Sequence, residues 1–384
     1  MTVSALTRPG ERDRLIVKLS EIDWIFCLAL TLIAAAGIMM QFSIAGSSWM
    51  PWALPTLARY VLFSGIMIAL SLVDLRVWFA LAYPVYGIGL LLLVAVLAVG
   101  HHALGAQRWI QLGPVQIQPS EIMKIGLVLA LARFYHSASS RTATLSWWLL
   151  WPALLILMPV ALVAKQPDLG TALLILLTGT IVVILAGLSW RVIAVGGLGA
   201  AVLAPLVYFF AMHDYQRQRI ITFLNPEEDP SGAGYHTLQS SIAIGSGGLL
   251  GKGYGLGSQS QLNFLPEKQT DFIFATLAEE FGFLGCVFLL ALYAAVIFMA
   301  LRTAYIAHSH FGRLAAAGVT VTFALYVLIN GSMVMGLAPV VGVPMPLLSY
   351  GGTVMLTVMV GFGLVQAVRV HRYSEVTSGK GALL

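Results

Sequence analysis

Ten apolar runs, each near the ~20 residues that a helix needs to cross a bilayer, recur along this 384-residue chain. They begin near Trp24, Leu57, Val77, Glu121, Trp147, Leu169, Val192, Phe272, Leu314 and Leu347. Inside lipid a segment of this kind has to satisfy its own backbone hydrogen bonds, which leaves the helix as its outcome. The predicted fold class is therefore all-α and polytopic. Ten transmembrane helices are expected, with one long extracytoplasmic loop between helices seven and eight. Pro84, Pro152, Pro159 and Gly179 fall inside runs, where membrane helices tolerate them. Charged residues make up only 10% of the chain, against roughly 25% in soluble domains, and the mean hydropathy is +0.89. A soluble enzyme is excluded.

Loop charges set the orientation. A cytoplasmic N-terminus leaves only Arg59, Arg108, Lys124, Lys165, Arg217, Arg219, Lys252 and Lys268 on the outer side, and puts the other 13 of the 21 Lys and Arg residues inside. The expected division is a cytoplasmic N-terminal tail at 1–20, a single membrane domain at 21–370 containing the loop 212–271, and a cytoplasmic C-terminal tail at 371–384. The first run is a full span and should remain as a membrane helix. The basic residues are dispersed, so they report topology and not nucleic-acid binding. Two cysteines in apolar runs, Cys27 and Cys286, give no disulfide, zinc or redox pattern.

Three helices that run inward from the outer face open with an acid: Glu121 in the fourth, Asp168 in the sixth and Asp271 in the eighth. Ionisable groups at membrane level are costly and mark functional candidates, so a site near the outer leaflet is expected. Asp271 lies where the polar loop Pro266-Glu267-Lys268 meets the eighth helix. It reads equally as an acid held by first-turn N–H groups at a cavity rim or as an ordinary cap. Asp168 reads as a site acid and an N-cap together. Glu121 and Lys124 share a helix face. A lysine in a first turn opposes the helix dipole, so an anionic partner is expected, either Glu121 itself or a ligand phosphate. Arg108 lies upstream on the same side. Tyr235 to Ile244 predicts a short interfacial amphipathic helix. The run Gly245 to Gly257 reads as a hinge or, more weakly, a phosphate cradle. It is not a Walker A loop, because Gly253 follows Lys252 where Ser or Thr is needed. Glu279, Glu280 and Asn330 read as interior structural groups. His101, His102, His136, His308 and His310 lack ligand spacing.

The segments QPSEIMK (118–124), KQPDLGT (165–171), NPEEDPSGAGYHTLQSSIAIGSGGLLGKG (225–253), LPEKQTDFIFATLAEE (265–280) and PVVGVPMPLLSYGGT (339–353) together resemble the shape, elongation, division and sporulation (SEDS) family. The likeness is greatest to its RodA-like elongation branch. It runs in order along nearly the whole chain. Met345, where Leu is usual, and Lys268-Gln269, where the family varies, are small departures.

The resemblance implies a peptidoglycan glycosyltransferase of cell-wall elongation and rod-shape maintenance. Such a protein sits in the bacterial inner membrane with both termini cytoplasmic, and acts on lipid II at the extracytoplasmic face. It implies a class B penicillin-binding transpeptidase and other elongation-complex membrane proteins as partners. It also implies that Asp271, in the TDFIF motif, is the essential catalytic acid. On that footing Asp271 is the expected general base for the acceptor hydroxyl. Lys124 and Arg108 are the first expected pyrophosphate ligands, followed by Arg217, Arg219 and Lys252. Glu121, Asp168 and Asp271 offer hard oxygens to a divalent cation, magnesium or manganese. A lipid II flippase is the first competing class; it should spread polar groups through the bilayer depth. A non-catalytic scaffold for the transpeptidase is the second, and it predicts that Asp271 variants support growth.

Overall fold

Helices form where the apolar runs lie. The computed structural model describes residues 11–103, 106–112, 115–138, 147–212, 214–225, 232–265 and 267–376. Among these, eight helices are long and apolar enough to cross a membrane. They are α2 (Trp24–Ile44), α3 (Ala53–Ser71), α4 (Leu75–Val99), α6 (Leu150–Lys165, with the turn before it), α8 (Trp190–Leu206, with the π-helical turn after it), α12 (Ile273–Ile306), α13 (His310–Val334) and α14 (Gly352–Val370). The chain is a multi-pass membrane protein. Two further helices stand at expected positions. Of these, α5 (Pro119–Ala138) carries Glu121, Lys124 and Arg133, and α7 (Leu169–Leu185) is apolar but 17 residues long.

Glycine contacts fix which helices sit at the centre. A side chain at Gly318 of α13 would strike Val128 of α5 and Val182 of α7, and one at Gly126 would meet the backbone of α4 at Tyr86. Small residues permit this close approach. Two-thirds (67%) of the apolar windows of α13 and α14 are buried, against 0% for α8, which lies at the periphery. Pro84 leaves the Ala80 carbonyl of α4 without its intrahelical donor. Arg133 of α5 donates to the carbonyls of Phe79 and Ala80 at 2.8 and 3.1 Å, so the freed carbonyl is satisfied from the neighbouring helix.

The two chain ends meet at one end of the bundle. Arg369 pairs with Asp23 at 2.8 Å, and Arg372 pairs with Glu21, whose carboxyl it holds below the ordinary glutamate range. The expected tail at 1–20 contains a helix, α1 (Glu11–Ser20), and Lys18 fastens it to the Leu72 carbonyl at 3.3 Å. Arg8 and Lys380 lie outside the described residues, as do Arg141 and Pro266.

The all-α expectation needs correcting at 101–117. Strands β1 (His101–Ala103), β2 (Ala106–Leu112) and β3 (Val115–Ile117) form an antiparallel sheet in that order. Val115 and Ile117 alternate with Gln116 and Gln118, a period-two signal too short to stand out between long apolar runs. The last helix begins at Gly352, not Leu347. Pro344 and Pro346 have no N–H to donate, and Leu347 takes a left-handed φ of +65°. The loop 212–271 is largely built, with helices α9 (Asp214–Leu224), α10 (Ala233–Gly247) and α11 (Ser258–Gln261). The expected helix is α10, with one face packed on the bundle and its aliphatics on the other. Small Ser240, Ala243 and Gly247 are buried, with Gly247 against α12, while Leu238 and Ile242 point away.

Part of the glycine run is tied to α12. Gly282 (φ +65°) breaks α12, and the chain at 248–253 repairs the break. Lys252 and Gly253 N–H groups donate to the Glu279 and Glu280 carbonyls, both at 3.0 Å. The displaced donors, Phe283 and Leu284 N–H, reach the Gly248 and Leu249 carbonyls at 2.9 and 3.1 Å. Gly251 has φ +81°, and a Cβ there would collide with the Glu280 carbonyl. Gly251→Ala is therefore expected to cost about 2–4 kcal/mol, read as a lower melting temperature in detergent. Wild-type melting would contradict this wedge.

Candidate active site

At the end of the bundle away from the clasp, the first turns of α5, α7 and α14 converge with the loop before α12 around a cavity of about 240 Å³. Glu121 and Lys124 line it from α5, Asp168 and Thr171 from α7, Arg108 and Trp109 from β2, and Glu267 and Asp271 from the loop. Five of the residues expected at the site thus reach one cavity from four elements.

Each of the charged pairs is fixed. Lys124 is 2% exposed; its ammonium donates to Glu121 Oε1 at 2.6 Å and sits 4.5 Å over the ring of Tyr326 from α13. It also meets the Tyr326 hydroxyl, which donates to Glu121. Arg108 stands 3.5 Å from Asp168 and donates to the Pro167 carbonyl at 3.1 Å. Asp168 also caps α7, accepting from Thr171 N–H at 3.2 Å and Thr171 Oγ1 at 2.9 Å, so the expected cap is present, on a side chain that also lines the cavity.

Asp271 differs from these. The N-cap position of α12 is Phe272, and no first-turn N–H holds the Asp271 carboxylate. Both the capping reading and the N–H cradle are therefore set aside. Among the described residues, no hydrogen-bond donor or salt-bridge partner engages this carboxylate, and it faces the cavity. Its backbone, by contrast, is pinned. Asn330 Nδ2 donates to the carbonyls of Asp271 and Val343, each at 2.8 Å, and Ser349 Oγ donates to the Thr270 carbonyl at 2.6 Å. Gly342 (φ +70°) passes so close that a Cβ there would lie 3.4 Å from Asp271 Oδ2. Burial pushes the Asp271 pKa up to about 6; the nearby Glu267 charge adds to the rise, and Arg108 and Arg219 oppose it. Asn330→Ala frees the loop and leaves two carbonyls short of a donor, a cost of about 1–3 kcal/mol. A melting temperature equal to wild type would contradict that clamp.

Three expected ligands lie elsewhere. Lys252 pairs with Glu279 at 2.6 Å inside the glycine wedge; Glu279 is fully buried and also accepts from the Gln259 N–H at 3.0 Å. Arg217 donates to the carbonyls of Tyr208 and Phe209 at 3.0 and 2.8 Å, closing the π-helical turn after α8. Arg219, on α9, is not among the residues lining the cavity, and its charge opposes the rise at Asp271. Lys252→Met should destabilise the fold by about 3 kcal/mol, because Glu279 is left buried and unpaired. Adding Glu279→Gln should restore most of it, and failure of that rescue would contradict the pairing.

No three His, Cys, Asp or Glu side chains among the described residues come together as a metal site. Glu121 and Asp168 are already committed to Lys124 and Arg108.

The FtsW/RodA/SpoVE family of cell cycle proteins matches residues 18–374. The peptidoglycan glycosyltransferase MrdB of Escherichia coli K12 is 50% identical over 307 residues, covering 80% of this chain and 82% of that protein. The Helicobacter pylori 26695 protein of the same name is 40% identical over 287 residues, covering 74% of each. Among solved structures, a chain of a peptidoglycan synthase complex that coordinates polymerization and crosslinking superposes with a TM-score of 0.79 at 34% identity, covering 92% of this chain and 98% of that one. The rod shape determining protein RodA of Thermus thermophilus gives 0.67 at 32% identity, covering 92% and 98%. This chain belongs to the FtsW/RodA/SpoVE family and lies on its RodA-like side.

Proposed function

We propose that this protein polymerises lipid II into glycan strands during cell-wall elongation, with Asp271 as the general base. Ten helices cross the inner membrane, with α5 and α7 spanning alongside the eight longer or more apolar ones. The clasp at Asp23 and Arg369 faces the cytoplasm, and the cavity opens at the extracytoplasmic face. One observation carries the reading: a pinned acid with a free carboxylate and a raised pKa shares a cavity with two pre-oriented cations.

The chemistry follows from those groups. Asp271 takes the proton of the acceptor 4-hydroxyl as its oxygen attacks the donor's anomeric carbon. The carbon–oxygen bond to pyrophosphate breaks, and the bond pair leaves on the phosphate oxygen. A single displacement inverts the α-linked donor to a β-1,4 bond. Arg108 and Lys124 face the departing charge. Each is held by a carboxylate before substrate arrives, which keeps the cost of reorganisation small. A class B penicillin-binding protein cross-links the product, and other elongation-complex membrane proteins accompany the pair.

The test is incubation of the purified protein with lipid II, alone and with its transpeptidase. Glycan strands are expected. Transfer of lipid II between vesicle leaflets without glycan would establish a flippase instead, and neither activity would leave the scaffold reading.

A further inference from the structure

Asp271 shares its cavity with a second acid that the mechanism above leaves without a task. Glu267 lies four residues upstream, at the start of the turn that ends in Asp271. Its backbone takes a left-handed φ of +47°, a conformation that costs about 1–3 kcal/mol for a residue with a side chain and is retained where surroundings impose it. The surroundings are visible. The Glu267 carbonyl accepts from the Thr270 N–H at 3.0 Å, the Phe272 N–H at 3.4 Å and the Thr270 hydroxyl at 3.2 Å. The Glu267 Oε2 accepts from the Thr270 hydroxyl at 3.1 Å and from Gln269 Nε2 at 3.4 Å. All of these donors are neutral, and no salt bridge among the described residues neutralises Glu267. The turn therefore places a solvent-exposed acid, with no ion-pair partner among the described residues, at the edge of the cavity that contains Asp271.

We propose that Glu267 is a positioning residue whose fixed charge tunes Asp271 as a base. The inference rests on the reading of Asp271 given above. A like charge disfavours ionisation of a neighbouring carboxyl, in keeping with the direction Glu267 imposes on Asp271. The groups facing Asp271 from other elements act the opposite way: Arg108 from β2 and Arg219 from α9. Glu121 and Lys124 of α5 share the same cavity wall as a neutralised pair, and Asp168 of α7 is paired with Arg108. Glu267 is the unpaired negative charge of the set. A stronger base transfers the acceptor proton more readily, provided it is still ionised at the working pH.

Two variants separate this role from a structural one. Glu267→Gln removes the charge and keeps a hydrogen-bonding side chain. Glu267→Gly removes the charge and also relieves the left-handed backbone, because glycine adopts positive φ without a steric cost, so it stays folded if Gln does not. The pH dependence of the polymerisation rate is measured for each against wild type. Without the charge, Asp271 loses its proton more easily and is a weaker base. The acid limb should therefore move to lower pH by about half a unit, roughly a threefold change in proton concentration. The plateau rate should fall about two- to fivefold. If both variants keep the wild-type acid limb, or move it upward, the proposal is overturned. Asp271→Asn, run in parallel, distinguishes the two failures. Activity surviving in Asp271→Asn removes the base itself, whereas loss of activity there with an unmoved limb in the Glu267 variants removes only the tuning role.

Discussion

Asp271→Asn is expected to lower glycan polymerisation by about 10³-fold or more, within the range that a positioned base supplies, while the protein remains folded. The amide keeps the size of the side chain but cannot take a proton from a sugar hydroxyl. Folding should not suffer, since no hydrogen bond or ion pair among the described residues ends on the lost oxygen. Stability should even rise at alkaline pH. The folded-state pKa lies near 6, above the ordinary value of 3.8, so the folded protein holds this proton through a window in which the unfolded chain has released it. The ionised form is thus disfavoured in the fold once pH exceeds about 6, by on the order of 1–3 kcal/mol. The Asn variant escapes that penalty, and its melting temperature relative to wild type should be higher at pH 8 than at pH 4. A variant that melts well below wild type at pH 8 would give Asp271 a structural role.

Lys124→Met is expected to act on both stability and activity. It strands Glu121, which is 4% exposed, with Tyr326 as its remaining side-chain donor. Breaking a buried pair from one side costs about 3–5 kcal/mol. It also removes a cation from the cavity wall, where losing one fixed stabilising group typically slows reaction by about 10²-fold. The double variant Lys124→Met with Glu121→Gln separates these effects. It leaves no buried charge and retains a partner for Tyr326, so melting should recover most of the loss. Polymerisation should stay low. A double variant with near-wild-type polymerisation would reduce the pair to a strut between α5 and α13.

The sequence carried the positions of the long helices and the five cavity residues for one reason. A membrane span has a direction, so residues opening three helices that run the same way share a depth. Depth, however, says nothing about which way a side chain points around the helix axis. Lys252 and Arg217 have the right depth to be ligands, yet Glu279 and two backbone carbonyls claim them. Tyr326 was missed for the converse reason. It lies 205 residues from Glu121 in sequence, and a tyrosine in an apolar helix carries no local sign of a partner. Asn330 reads as interhelical glue, but its amide donates to the Asp271 and Val343 carbonyls, both in loops and not on another helix. The glycine run illustrates the same limit. Its composition permits a hinge, a cradle or a wedge, and the choice depends on the carbonyls freed where Gly282 interrupts α12.

The measurement closest to the central claim is the pH dependence of wild-type polymerisation under single-turnover conditions with subsaturating lipid II, where the rate reports the groups of the free protein. The account predicts a rate that is half-maximal near pH 6 and level above it, as one cavity carboxyl loses its proton. A rate unchanged from about pH 5 to 8, the range on both sides of that value, would contradict Asp271 as the base.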